Sequence, residues 1–463
     1  MIRYIRYTLL ITLIGLAACQ EVLEPKPVTL LVDELVLNEP NDVQPVRIGL
    51  YSAFRSMAAP NIIAGDFTAD YIQANGTYTD EIELGTKRIT ATNGAVDALW
   101  SGLYRTIYVA NFILERLPAL TTVPEATRKQ VLAEARFMRG WANFIGVYTY
   151  GDIPKVTSTD QSANTTIPRI AKADMLASVL ADYQAALADL PSVTSASTNA
   201  TTNATYLNKI NCQAALARYY LYQKNWAQAE SLATVVINSG VYALQTNYSD
   251  IVTKDFTSES ILEVGYNLTD DPGTSNDPVT GSPGLNNLLV GRREVIPSNQ
   301  LVSSLLSAEA GTRSTTITFN AQQQRGNDNG WTVRKYGTAS EDNNNIVLMR
   351  LAEMYLIRAE ARAQQGKLTG TTGAIADLNV LRTRAKAPAI TAGAQADVLL
   401  AVERERVYEL AFEGQRWYDL VRTGRAQAVM SAFSPNWNSR YELWPIPQRE
   451  IQQNTALQQN PGY

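Results

Sequence analysis

The sequence predicts a mainly α fold, a single body built on tetratricopeptide-like helix pairs with long loop insertions and little β structure. Three observations carry this. Apolar residues recur at helical spacing over most of the chain, small residues face large ones across paired helices, and the stretches between are too polar to build a core. In chain order, Asn41-Asp42 caps a helix whose apolar positions are Val43, Val46, Leu50, Phe54 and Met57. A second helix is expected over residues 96–117, stopped by Pro118, and a third over 124–148, stopped by Gly151 and Pro154. Pairs follow at 172–190 and 208–238. Tyr183, Ala186 and Pro191 fit the second helix of a tetratricopeptide unit and its terminating proline. Ala217 and Tyr220 face Ala229 and Ala233 across a turn at Lys224-Asn225. A further pair is expected at 346–365 and 373–386, and a last helix at 396–423. Irregular pairs of this kind build a curved scaffold in which each buries its neighbour's face.

Residues 157–166, 194–205, 269–287 and 321–345 are rich in Ser, Thr, Asn, Asp and Gly and read as loops on that scaffold. The stretch from Asp270 to Pro278 has carboxylates that could take calcium, but their spacing is irregular and a solvated loop is the expectation.

The N-terminus reads as an address and an anchor. Arg3 and Arg6 precede an apolar run too short to span a bilayer, which ends in Leu16-Ala17-Ala18-Cys19. Small residues before a cysteine are what a lipoprotein signal peptidase accepts, so residues 1–18 are expected to be removed and Cys19 to become the acylated first residue. The chain is then held to a membrane by acyl chains alone. Residues 19–40, with Pro25, Pro27 and Pro40, read as a lipidated tether, followed by an N-terminal region over 41–250 and a C-terminal region over 251–463.

Composition excludes several classes of function. The net charge is −4, and loss of Arg3 and Arg6 with the leader makes it −6, so no basic face for nucleic acid is expected. The 463 residues include no histidine, which removes Ser-His-Asp and Cys-His nucleophiles and His-ligated metals. With Cys19 lipidated, Cys212 has no disulfide partner and reads as a small buried side chain. No cofactor and no metal are expected. Tyrosine is abundant, 23 against 9 phenylalanines, and a ring with a polar edge suits surfaces that are flat and wet.

The densest block runs over residues 403–424. Val407, Leu410, Ala411, Trp417, Leu420 and Val421 form one helical stripe, with Arg406/Glu409, Glu413/Arg416 and Asp419/Arg422 as expected ion pairs and Gly424 as the stop. Glu409 and Glu413 stand one turn apart, as a glycosidase pair would. Flanking Arg406 and Arg416 are expected to keep both ionised, which denies the pair its acid.

This block resembles the RagB/SusD family of Bacteroidetes nutrient-uptake lipoproteins. The resemblance extends to Leu443-Trp444-Pro445-Ile446-Pro447, Glu450-Ile451 and Gln459-Asn460-Pro461-Gly462-Tyr463, and back to Arg350-Leu351-Ala352-Glu353-Met354-Tyr355 and Leu381-Arg382-Thr383-Arg384. In the first half, Trp100-Ser101-Gly102-Leu103-Tyr104, Ala133-Glu134-Ala135-Arg136-Phe137 and Tyr150-Gly151-Asp152-Ile153-Pro154 fit the same family. One place departs: where members often carry an acidic residue before an arginine, this chain reads Ala310-Gly311-Thr312-Arg313.

The resemblance implies a SusD-like body sitting as a lid on a SusC-like, TonB-dependent outer-membrane transporter, with the repeat face on the barrel and the loop-rich face holding an oligosaccharide or a peptide. Such proteins bind and do not cleave. A glycan site needs aromatic faces for sugar rings and amides or carboxylates for hydroxyls. Asp66, Asp70, Tyr71, Asn75 and Tyr78 in a first insertion and Asn329, Trp331 and Tyr336 in a second are the candidates, while Trp100 is expected in the core. Trp331 follows Asn327-Asp328-Asn329-Gly330 with no apolar neighbour to cover it, so it is the ring expected to be displayed.

Overall fold

The computed structural model describes residues 37–194, 199–266, 284–336, 345–391 and 393–463. Cys19, the tether up to residue 36 and residues 269–283 of the suggested calcium loop lie outside the described residues.

Ten principal helices carry the body: α1 (Val43–Ser56), α2 (Gly94–Arg116), α3 (Glu125–Tyr150), α4 (Lys172–Asp189), α5 (Lys209–Tyr222), α6 (Trp226–Asn238), α7 (Leu351–Gln364), α8 (Ala374–Arg384), α9 (Gln395–Leu410) and α10 (Arg416–Arg422). Their starts follow from local chemistry. Asn93 takes the N–H of Ala95, Asn225 that of Gln228, and Asn208 and Asn211 cap each other's backbone at the head of α5. Neighbouring helices pack in pairs, α2 on α3, α3 on α4, α5 on α6 and α7 on α8, with α6 and α7 joining the two halves. The fold is mainly α.

The large rings of this scaffold are interior. Trp100, Trp141, Trp417 and Trp444 are buried, and Phe137 stacks on Trp141 at 5.9 Å. The Cys212 thiol is buried too, donates to the carbonyl of Tyr183 at 3.3 Å, and is pushed up to about 12 by that burial.

Among the described residues, eight short strands pair into antiparallel two-stranded ribbons: β1 (Ile72–Ala74) with β5 (Val295–Pro297), β2 (Ile153–Pro154) with β3 (Arg169–Ile170), β4 (Ser260–Val264) with β8 (Ile346–Arg350), and β6 (Ile317–Phe319) with β7 (Trp331–Val333). Two of these correct the sequence reading. Residues 346–350 form a strand before α7, because this short apolar run pairs with β4 and is buried at every position but Val347, which carries the Arg350 guanidinium inward. Residues 331–333, expected in a loop, close a hairpin with β6 in the register Phe319 opposite Trp331.

The expected helix over 396–423 is also broken. The chain turns at residues 411–415, with Phe412 at φ 63° and Gly414 at φ +72°. Here the backbone of Gly414 presses against Gly65, where an added Cβ would lie 2.0 Å from the Gly414 carbonyl oxygen. Tertiary contact therefore overrides a helical stripe.

Candidate functional site

The turn at 411–415 gathers four of the eight candidate residues. Asp66 is fully buried and accepts the N–H groups of Gly414 at 2.7 Å and Arg416 at 3.1 Å. Desolvation pushes its carboxyl up to about 7 despite those bonds. Asp70 is gripped by Nε and Nη2 of Arg416 at 2.8 and 3.0 Å. The Tyr71 ring packs on Phe412 at 5.8 Å, and the Tyr336 hydroxyl donates to the Phe412 carbonyl at 2.6 Å. All four are buried, so the structure places them under the surface, holding the C-terminal turn.

The expected ion pairs are re-sorted for the same reason. Asp419 does pair with Arg422, but Arg406 also binds Asp419 and not Glu409, while Arg416 binds Asp70 and Glu403. Glu409 is enclosed by Arg313, Arg350 and Arg384, and Glu413 by Arg350 and Lys335. Burial opposes ionisation at both sites, yet these cations outweigh it and hold Glu409 well below the ordinary glutamate value and Glu413 below it. Both carboxylates are buried anions, and the residues that keep them so are not the flanking Arg406 and Arg416 the sequence suggested. Arg313, at the place that departs from the family pattern, lies wholly inside this network, and Thr312 before it donates its N–H to the Ala385 carbonyl at 2.8 Å.

The other four candidates, Asn75, Tyr78, Asn329 and Trp331, come together at the surface. Pairing of β1 with β5 brings the first insertion to Glu294, whose carbonyl takes the N–H groups of Asn75 and Gly76. The Glu294 carboxylate accepts from the N–H of Thr77 at 2.6 Å and of Tyr78 at 2.9 Å. Arg292 lies over the Tyr78 ring at 4.6 Å. The second insertion joins through Asp328, which takes Arg293 Nη2 at 2.6 Å and the Asn75 amide at 3.2 Å. Asn329 donates to the carbonyl of Pro297 at 2.8 Å and accepts from the N–H of Trp331 at 3.0 Å.

Above this junction sits a pair of rings. Trp331 is half-buried and meets Phe319, which is 46% exposed, at 5.2 Å. Gly330, at φ +80°, lets the Phe319 ring lie over the turn, since a Cβ there would come within 2.7 Å of that ring. The surface thus offers aromatic carbon with Asn329 beside Trp331, and the same junction continues through Asp328 to Asn75 and through Glu294 to the Tyr78 ring under Arg292. Sequence reasoning missed Phe319, Arg292, Arg293, Glu294 and Asp328, although the charged triplet at 292–294 just before an apolar strand is a readable signal.

Residues 309–463 match the family described as SusD family, and residues 31–221 match one described as starch-binding associating with outer membrane. The chain belongs to the SusD/RagB family. A SusD-like protein of Formosa agariphila is 25% identical over 99% of this chain and 98% of its own length. The starch-binding protein SusD of Bacteroides thetaiotaomicron is 34% identical over 27% of this chain and 23% of its own. Among solved structures, a laminarin-binding SusD-like protein superposes with a TM-score of 0.78 at 23% identity, covering 92% of this chain and all of its own, and shows that the fold is shared. Among the described residues, no helix of this SusD-family chain is long and apolar enough to cross a membrane.

Proposed function

We propose that this protein captures glycan at the outer face of the outer membrane, tethered through lipid on Cys19, and passes it to a SusC-like TonB-dependent transporter. The observation that carries the reading is the ring pair Phe319 and Trp331, with Asn329 beside it, on the junction where Asp328 joins Asn75 of the first insertion and Arg292 covers Tyr78. Sugar rings have apolar faces and polar edges, and a surface of aromatic carbon rimmed by amides matches both. The relatives named for starch and laminarin binding support glycan as the ligand class.

Binding without cleavage is supported by the surroundings of the two glutamates. A glycosidase needs one carboxyl that stays protonated near neutral pH, and arginines and a lysine hold both Glu409 and Glu413 ionised in the interior. Asp66, with its carboxyl at about 7, is fully buried and has no route to substrate. Parallel screens on a glycan array and a peptide library, with a reducing-end assay on every glycan bound, test the reading. Saturable glycan binding with no release of reducing ends supports it; peptide-only binding or turnover overturns it.

A further inference from the structure

At the junction of the two insertions an ion pair ties together stretches that lie far apart in sequence. The Asp328 carboxylate takes Arg293 Nη2 at 2.6 Å and the Gly330 N–H at 2.8 Å on Oδ1, and the Asn75 amide at 3.2 Å and Arg293 Nε at 3.4 Å on Oδ2. A carboxylate has about four lone-pair sites, so these donors leave none for a sugar hydroxyl. Arg293 spends its third nitrogen too: Nη1 donates to the Trp331 carbonyl at 3.1 Å and to the Thr332 hydroxyl. The two side chains are only 7% and 15% exposed, so the pair holds the junction from within.

The backbone of Arg293 marks the same point. Its φ is 54°, in the left-handed region that a residue with a Cβ enters at a cost. In that conformation its carbonyl accepts from the Asn75 amide at 2.9 Å while its side chain runs to Asp328. One residue thus reaches the first insertion through its backbone and the second through its guanidinium. Glycine would relieve the strain, but it has no side chain with which to reach Asp328. Strain of this kind persists where surrounding bonds fix it, and it gathers at binding sites.

We propose that Arg293 and Asp328 are positioning residues for glycan capture and act through Trp331: the pair sets that ring against the first insertion and makes the two insertions one rigid platform. The proposal rests on the glycan reading of the ring pair. Without the ion pair, β1 with β5 and β6 with β7 keep their backbone pairing, so the ribbons survive. What is released is the turn from Asn327 to Gly330. Trp331 begins β7 just after that turn, and binding then has to immobilise its ring, which weakens affinity.

Calorimetry with laminarin and soluble starch, the glycans named for two relatives, tests this on wild type, Arg293→Asn, Trp331→Ala and the double variant. Asparagine tolerates the left-handed backbone and is too short to reach Asp328. Arg293→Asn is expected to weaken the polysaccharide that saturates the wild type by about fivefold or more, yet to add less than about twofold to Trp331→Ala, because both act through one ring. Asp328→Asn, which keeps an acceptor oxygen and loses the charge, is expected to behave alike. With fluorotryptophan incorporated, the Trp331 fluorine resonance, assigned by its loss in Trp331→Phe, is expected to shift or broaden in Arg293→Asn while the other tryptophans keep theirs. A general loss of stability would not single out one ring. Full affinity in Arg293→Asn and Asp328→Asn, where Trp331→Ala binds weakly, overturns the positioning role and leaves the ring pair as the site. Losses that add in the double variant, or an unmoved Trp331 resonance, overturn it too. Saturation by neither polysaccharide, or Trp331→Ala binding as wild type does, overturns it together with the reading beneath it.

Discussion

Arg416 holds Asp70 with two parallel hydrogen bonds, at 2.8 and 3.0 Å, across 346 residues of sequence. The pair is buried and fastens the first insertion to the head of α10, so it is structural. Removing one partner leaves the other as an uncompensated buried charge, which costs about 3–5 kcal/mol. Arg416→Met is therefore expected to lower unfolding free energy by that amount in urea titrations. The double variant with Asp70→Asn should recover roughly 1–3 kcal/mol of it. Glycan affinity of the folded fraction of Asp70→Asn should stay within about twofold of wild type.

Trp417, in the first turn of α10, is fully buried against Trp437 at 5.5 Å. Trp417→Ala removes a large ring from a packed interior and is expected to cost on the order of 3–5 kcal/mol. Unchanged melting behaviour would place Trp417 outside the core.

Lys87 makes stability depend on pH. Its ammonium is buried, donating to the Phe67 carbonyl at 2.7 Å, and desolvation lowers it to about 7 against an ordinary 10.5, with Asp70 offsetting only part. Below pH 7 both folded and unfolded chains carry the proton, and the cost of burying the charge is fully present. Between pH 7 and 10.5 only the unfolded chain holds it, so this residue's contribution rises with pH. At about 1.4 kcal/mol per unit, the gain across the window is on the order of 5 kcal/mol. Urea titrations of wild type and Lys87→Met at about pH 7 and pH 10 are expected to show wild type gaining on the variant; a constant difference would mean that Lys87 keeps its ordinary titration in the fold.

The helices were legible because their signals are local. The stripes are buried as the spacing requires, although the expected cap at Asn41-Asp42 is not made: the Asp42 carboxylate turns back to accept the N–H groups of Asn38 and Glu39 at 2.8 Å. The break at 411–415 was not legible, because the stripe from Val407 to Val421 is continuous in sequence and what interrupts it is Asp66, 348 residues before Gly414, taking two backbone N–H groups. The same contact explains why Asp66, Asp70 and Tyr71 read as displayed polar and aromatic residues. Their partners lie at the far end of the chain. Trp331 could be singled out because Asn327 to Gly330 offer no cover in sequence, yet Phe319, its ring partner, belongs to a strand whose pairing only the fold reveals.

The anchor is tested by Cys19→Ala. With the residue proposed to carry the lipid gone, the protein is expected to fold and to leave the membrane fraction without detergent in cells that lack the transporter. Retention there would point to a different attachment. Cys212 provides an internal control: its thiol, at about 12, should resist iodoacetamide at about pH 8 until the protein is unfolded.

Trp331 decides the ligand face. Its backbone N–H is fixed by Asn329, and its half-buried ring rests partly on the core and partly on exposed Phe319. Trp331→Ala is expected to weaken the glycan identified by the array by at least tenfold, in line with the roughly 1–3 kcal/mol that stacking on an aromatic contributes in other ring-binding surfaces. Because the ring is half-buried, a stability loss of about 1 kcal/mol accompanies it. Phe319→Ala, with the more exposed ring, should cost less stability and still weaken binding, which separates loss of contact from loss of fold. Tyr78→Ala tests whether the first insertion contributes: weaker binding with an unchanged melting temperature assigns Tyr78 and Arg292 to the same platform. Unaltered affinity in all three variants, measured by calorimetry on protein of wild-type melting profile, would remove this junction from the site and send the search to another face.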